Sequence, residues 1–401
     1  FSMQVRKLEH QELFDAHRIM AVAFEGEFDP EKERESLKNK KEPEHPGQTW
    51  GAFEEGALLG CFDLTSFPVR FDGHHVQMGG VGGVSTLPPY RRKGVIRACM
   101  QSAFQSMYQE GCAFSFLYPF STAYYRQFGF ENGAACQTWT LPILSLKLPY
   151  TGGTIEQLFP GDDLSPLLEI YNSYYKNFNL SVLRNGYDAS LEKENWLNQK
   201  RYLYLWRDES GVPRSFLLAS RDGEILDCTT DFARKNGLLF TDARSLQALL
   251  HFVYGAFSSH YKSIRFTAPS CLRLQSLIPE MAQAECRWFT NGMVRAVHVE
   301  KVLSLCSCRG EGALRIEISD PLLEENCGVW KLSFAPGREN LVEKTAEAPD
   351  LSLTIGDFST LICGIRSAEE LPWMPAATVC NSSAPLDRVF RAKPCHVLDL
   401  F

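Results

Sequence analysis

Long apolar runs are missing from this 401-residue chain. A membrane-spanning helix needs about 18 consecutive apolar residues, and the longest stretches are broken by Lys147 or His251. An excess of positive charge is missing too. Lys and Arg number 41 against 48 Asp and Glu, a net charge of −7. That excludes a protein that holds nucleic acid by neutralising phosphates, and it suits solubility and a cationic small partner. The 13 cysteines are odd in number and scattered. Only Cys306-Ser307-Cys308 is closely spaced, without the second Cys or His pair that a zinc site requires, so it reads as loop or strand and no metal is expected. The thiols read as reduced and mostly buried, which fits a cytoplasmic location. An apolar leader is also lacking. Met3 opens into Gln4-Val5-Arg6-Lys7, so no secretory signal is expected, and Phe1-Ser2 reads as a cloning remnant outside the fold.

What is present is an ordinary globular composition, 44% hydrophobic and 22% charged. At about 150 residues per domain the length predicts two or three domains. The chain reads as three, over 3–150, 151–290 and 291–401. The first alternates strands and helices. Val5 to Leu8 reads as a strand and Gln11 to Phe24 as a helix, followed by a charged, solvated helix within Asp29 to Glu44. Two hairpins come next. Trp50 to Phe53 and Ala57 to Leu64 flank Glu54-Glu55-Gly56; Pro68 to Phe71 and His75 to Val84 flank the strong turn signal Asp72-Gly73. A proline-punctuated link from Leu141 to Gly153 marks the first boundary. The second region repeats the rhythm, with helices at Pro166 to Tyr175 and Ser245 to Phe257, the latter capped by Asp242, and strands at Tyr202 to Trp206, Ser215 to Ala219 and Ile264 to Thr267. Beyond 291, strands at Met293 to Val299, Leu314 to Ile318, Val329 to Phe334 and Leu351 to Ile355, with a short helix at Phe358 to Ile365, predict a small α+β domain.

The chemistry concentrates between Gly79 and Phe130. The run Gly79-Gly80-Val81-Gly82-Gly83-Val84 is unusual for a strand interior; it is either a flexible loop or a strand with a bulge or a close ligand approach. After it comes Arg91-Arg92-Lys93-Gly94-Val95-Ile96-Arg97. Apolar doublets at Val95-Ile96, Cys99-Met100, Ala103-Phe104 and Met107-Tyr108 predict a helix that starts just after Gly94 and stops at Gly111. Basic residues oppose the dipole at a helix start, so they are either merely solvated or matched to an anion. Free amides, the dipole, a glycine and arginines together make a diphosphate cradle. Downstream, Ala113 to Tyr118 reads as a buried strand. A short helix follows, capped by Ser121 or Thr122, carrying Ala123-Tyr124-Tyr125-Arg126-Gln127-Phe128 and ended by Gly129-Phe130.

Arg91-Arg92-Lys93-Gly94 after a strand, with Tyr125-Arg126-Gln127-Phe128-Gly129-Phe130 downstream, resembles the acyl-CoA-binding and catalytic motifs of GNAT N-acetyltransferases. Ile96 departs from the Gly or Ala usual at the last motif position. The three-part order resembles the Eis (enhanced intracellular survival) family over essentially the whole chain: a GNAT domain, a degenerate GNAT-like domain and a small domain similar to sterol carrier proteins. The implied fold class is α/β (α+β), two tandem mixed-sheet domains followed by the α+β domain. The second region lacks the phosphate loop, since Phe240-Thr241-Asp242-Ala243-Arg244 brings an acid where the first has glycine. One CoA site per chain is therefore expected.

The resemblance implies acetyl-CoA as co-substrate, held by Val84, Ser85, Thr86, Arg91, Arg92, Lys93, Gly94, Val95 and Ile96. The backbone of Val84 to Thr86 would hold the pantetheine arm and polarise the thioester carbonyl. Tyr125 matches the family's general acid; otherwise it is a core tyrosine. Tyr124, about 100° round the helix, is expected to pack. Chain ends fray unless docked, and the apolar Val397-Leu398-Asp399-Leu400-Phe401 is expected to dock into the body or to complete the third domain as a strand. By resemblance, the Phe401 carboxylate is the base. Phe24, Glu25 and Glu27, where the family's substrate pocket begins, suit a cationic amine such as an aminoglycoside or a lysine side chain, or else form an ordinary helix end. The resemblance also implies a homo-oligomer, a hexamer. The competing reading, from another class, is a non-catalytic acyl-CoA or lipid sensor working through the third domain.

Overall fold

Asp72 and Gly73 both adopt left-handed backbone, φ 46° and 86°, and this tight turn folds β3 (Ala57–Phe71) onto β4 (His74–Thr86). Around that hairpin the computed structural model, which describes residues 3–39, 47–230 and 236–401, builds a seven-stranded sheet. β1 (Gln4–Lys7) and β2 (Gly47–Glu54) extend it on one side, and β5 (Phe114–Leu117) pairs in parallel with β4 on the other. Two further strands close that side, Met293–Ala296 and then Glu131–Asn132. The helix predicted to start after Gly94 is α3 (Val95–Gln109). Its predicted doublets are its buried face, and Val95, Ile96, Cys99, Met100, Ala103, Phe104 and Met107 all leave water. Each large apolar side chain so buried contributes about 1.5–3 kcal/mol.

α1 (Leu13–Phe24) packs against β3 and β4, and α2 (Pro30–Asn39) follows it. The helix expected within Asp29 to Glu44 is thus found over its first part; residues 40–44 lie outside the described residues, as do Phe1 and Ser2. The glycines of β4 do belong to a strand. A Cβ at Gly79 would stand 2.5 Å from Met107 Sδ, and one at Gly80 would stand 2.6 Å from the Phe401 ring. Both faces of the strand are too closely approached for side chains.

By contacts the chain forms two units, one of residues up to 133 with 292–393 and 401, the other of 134–291 with 394–400. The divide differs from the one read at 150. Ala135–Pro142 pairs antiparallel with Ser263–Pro269 and with Glu285–Thr290, so it is part of the second unit's eight-stranded sheet. Likewise Met293–Ala296, read as opening a third domain, lies inside the first sheet and pairs with β5. The five-stranded sheet of the C-terminal region belongs to the first unit. The helix Ile355–Ile362, three residues earlier than predicted, is buried on every side and packs on Met293–Ala296.

In the second unit the helix Ala243–Phe257 covers the sheet, and residues 394–400 run across Asn179, where Cys395 forms an isolated bridge. His396 stacks on Tyr175, ring centroids 5.7 Å apart, and Asp399 Oδ1 accepts from Arg184 at 2.9 Å. No strand forms over Val397 to Phe401.

Candidate active site

The start of α3 is set by two left-handed residues, Arg92 at φ 62° and Gly94 at φ 80°. A non-glycine residue held there costs about 1–3 kcal/mol, a strain found where a loop is shaped for contact. The first bond of the helix runs from Ala98 N to Gly94 O at 3.0 Å, and no side chain caps the end. The amides of Val95, Ile96 and Arg97 precede that bond and have no acceptor within the helix. Arg91, Arg92 and Lys93 are exposed, and no ion pair engages Arg91 or Arg92 among the described residues. Lys93 Nζ lies 5.2 Å from the Tyr90 ring centroid. The residues present fit a diphosphate. They offer unbonded amides, uncommitted guanidinium groups and a glycine with open space around it.

All of these but Lys93 line one wall of a cavity of about 920 Å³. Arg91, Arg92, Gly94, Val95 and Ile96 face it, as do Val84, Thr86 and Phe24. Ile96, the departure from the usual motif, is buried and still reaches the wall. Ser85 is buried beneath, its hydroxyl donating to Gly83 O at 2.9 Å, which leaves its backbone as the part that can serve a ligand. β4 and β5 pair only from Met78 to Val81, and β4 continues to Thr86 with β3 alone as its partner, so the sheet opens beside the cavity. Glu25 and Glu27 stay exposed after α1, Glu25 closing the helix at φ 54°, and neither lines the cavity.

The far wall comes from the short α4 (Thr122–Arg126), whose Ser121 cap accepts from Tyr124 N at 3.3 Å. Tyr124, expected to pack, packs against Phe128 and also lines the cavity, with Phe120 and Gln127 beside it. Tyr125 is the buried one, its ring within 5.1–6.4 Å of those of Phe120, Tyr124, Phe128 and Phe130. Burial raises its phenol above the ordinary value, with Tyr124 adding to the shift. It keeps its proton at any working pH, the state an acid needs. Arg97 ties α3 to α4 by donating to Gln127 Oε1 at 3.0 Å.

Sequence reasoning passed over Arg295, the residue that fixes this motif. Its side chain is fully buried, pairs with both oxygens of buried Asp320 at 2.6 Å and donates to Phe128 O. A Cβ at Gly129 would collide with that guanidinium and with Ile355. Phe-Gly-Phe therefore has glycine because an arginine 166 positions later lies against it (from Gly129 to Arg295). No local spacing signals such a pair.

Phe401 groups with the first unit. Its ring lies 5.0 Å from Phe67, 5.5 Å from Tyr118 and 6.2 Å from Phe116. Its carbonyl carbon and oxygen are 3.5 Å from where a Gly82 Cβ would be. Among the described residues, no group of three His, Cys, Asp or Glu side chains is gathered to hold a metal, and no helix is long and apolar enough to cross a membrane.

Comparison with known proteins fits this geometry. Residues 4–133 match the acetyltransferase (GNAT) domain, and residues 299–397 match the sterol carrier protein domain. An uncharacterized N-acetyltransferase of Streptomyces avermitilis is 22% identical over 363 residues, 85% of each chain. Two crystal structures share the fold over the whole of both chains. One is a protein of Enterococcus faecalis V583 described as a probable N-acyltransferase, with TM-score 0.85 and 21% identity. The other is Eis1 from Mycobacterium abscessus, with TM-score 0.78 and 18% identity.

Proposed function

Given an N-acetyltransferase of the GNAT type that also carries a sterol carrier protein domain, we propose that it moves acetyl from acetyl-CoA to a primary amine of a small cationic molecule, aminoglycoside-like, or of lysine. The observation that carries this is the uncapped, arginine-flanked start of α3 on the wall of a cavity of ligand size. A self-capped helix or a filled wall would not offer it.

Acetyl-CoA, when bound, supplies the thioester. Arg91, Arg92, Lys93 and the amides from Gly94 to Ile96 bind its diphosphate. The backbone of Val84, Ser85 and Thr86 holds the arm and stabilises the carbonyl oxygen as it gains charge. The Phe401 carboxylate takes a proton from the substrate ammonium. A carboxylate is a weak base, so its placement on the glycine face of β4 supplies much of its effect. The amine nitrogen then bonds to the acetyl carbon, the carbon–sulfur bond breaks, and Tyr125 gives the departing thiolate its phenolic proton, while the second proton shed by the new amide nitrogen passes through solvent to restore the phenol. The acceptor side begins where α1 ends, with Phe24 on the cavity wall and Glu25 and Glu27 available to a cation. By the same reading the chain works in the cytoplasm as a hexamer, which sedimentation would check.

Thiol release followed over aminoglycosides, polyamines and lysine peptides tests the acceptor; silence on all of them defeats this reading. A few residues appended after Phe401 should abolish transfer while leaving CoA affinity intact. Undiminished turnover would remove the carboxylate from the scheme.

A further inference from the structure

Cys306-Ser307-Cys308, the closely spaced cysteines of the sequence, has no part in acetyl transfer. It follows the helix Val299–Leu305, and Cys306 closes that helix, its amide donating to Val302 O at 3.0 Å. The two sulfurs face each other at 3.8 Å. Cys306 is buried and Cys308 half-buried, with exposed Arg309 and Gly310 beside it, so a small solute meets Cys308 first.

The backbone around the pair is held from three sides. Asp72, in the turn between β3 and β4, accepts from Ser307 N at 2.8 Å and from Lys393 Nζ at 2.5 Å. Arg391 donates to Ser307 O at 3.3 Å and to its Oγ at 3.1 Å. Asn340 Nδ2 donates to the carbonyls of Leu303 and Cys306, at 2.9 and 2.8 Å. The sulfurs themselves make only weak bonds, Cys306 Sγ to Leu303 O at 3.2 Å and Cys308 Sγ to Cys306 O at 3.9 Å. Rotation about each Cα–Cβ bond can therefore bring them together without moving the frame. Cα atoms two residues apart lie within about 7 Å, inside or at the edge of the span a disulfide bridges.

The two thiols are also unequal. The hydrogen bond from Cys306 lowers the Cys308 thiol below its ordinary pKa, helped by Lys393 and Arg391 against burial and Asp72, while Cys306 keeps its proton. Elsewhere in the chain burial pushes Cys61, Cys99, Cys112 and Cys136 up to about 12. The thiolate is the nucleophilic form, so Cys308 is the thiol set to react and Cys306 the neighbour set to resolve it.

We propose that Cys306 and Cys308 are a redox dithiol, a modification site for hydroperoxides that passes reversibly into an intrachain disulfide. This goes beyond the acetyltransferase reading and does not rest on it. The Cys308 thiolate attacks one peroxide oxygen, the O–O bond breaks, and the leaving hydroxide takes a proton from solvent. Cys308 is then a sulfenic acid. The Cys306 sulfur attacks the Cys308 sulfur, the S–O bond breaks, and the departing hydroxide takes the Cys306 proton. Two thiols are oxidised, one hydrogen peroxide is reduced and two waters form.

The test treats the full chain, reduced and freed of reductant, with graded hydrogen peroxide. Remaining thiols are alkylated in denaturant with iodoacetamide, and the tryptic peptide Val302–Arg309, which holds both cysteines and no other, is weighed. The expected peptide is lighter by two hydrogen atoms and carries no alkyl group, at peroxide levels that leave Cys61 and Cys99 alkylated. Dithiothreitol should restore both alkylation sites. In Cys306→Ser the peptide should carry a sulfenic acid that dimedone traps, and in Cys308→Ser the Cys306 thiol should stay alkylatable. A wild-type peptide still doubly alkylated when exposed Cys380 is oxidised overturns the proposal. So does a bridge from this peptide to any other cysteine. The wild-type measurement needs no substitution, so a variant that fails to fold leaves the test intact.

Discussion

Two helices of equal length, 15 residues each, begin in opposite ways. α3 starts from Gly94 in the left-handed region without a side-chain cap. Ala243–Phe257 starts from extended Asp242, whose carboxylate accepts from Ser245 N at 2.8 Å while Ser245 Oγ accepts from Asp242 N at 3.1 Å. The second helix satisfies its own first amides, and the carboxylate that does so repels any phosphate. The first leaves its amides open and surrounds them with arginine. The difference teaches that a helix start is a stability element or a binding element according to one residue. This chain carries both, the open start in its first unit and the self-capped start in its second.

The severest break with this contrast is chemical. Tyr125→Phe should lower kcat about 10²–10⁴-fold without lowering the melting temperature. Undiminished transfer would remove Tyr125 as the acid. Next in size is acid. Burial depresses His396 to about 4, so it is neutral in the folded second unit. The unfolded chain binds that proton from about pH 6.5 downward. Stability is therefore flat above about pH 6.5 on this account and falls by about 3 kcal/mol as the pH drops towards 4. Urea unfolding at a series of pH values checks it, and His396→Leu should flatten the slope. Third, Gly94→Asp gives α3 the acid of its counterpart and strains a φ of 80°. CoA affinity by calorimetry should fall about 10- to 100-fold. The smallest effect sharpens the comparison from the other side. Asp242→Ala should cost about 1 kcal/mol in stability and leave the stoichiometry at one CoA per chain.

Much of the first unit was legible because its signals are local. The doublets of α3, the Asp72-Gly73 turn and the Ser121 cap each occupy a few consecutive residues, and each sits where the sequence puts it. The place of Arg91 to Gly94 at the head of α3 could be read for the same reason. What escaped depends on distant partners. The boundary was read at the link from Leu141 to Gly153, past Ala135–Pro142, because the strand that Ala135–Pro142 pairs with lies far off at Ser263–Pro269. Arg295 carries no motif; burial against Gly129 gives it its meaning. Tyr124 and Gln127 were overlooked as cavity residues because helical spacing reports which face is buried, and not what empty space it borders.

The way Met293–Ala296 is stitched between β5 and Glu131–Asn132 has a practical consequence for anyone dissecting this molecule. An expression clone ending near residue 150 would leave the β5 edge bare, and Phe128 would lose the guanidinium that grips its carbonyl. The acetyl-transferring half is therefore no free-standing cassette: its last interior strand is on loan from residues 293–296, and grafts or chimaeras must carry both pieces.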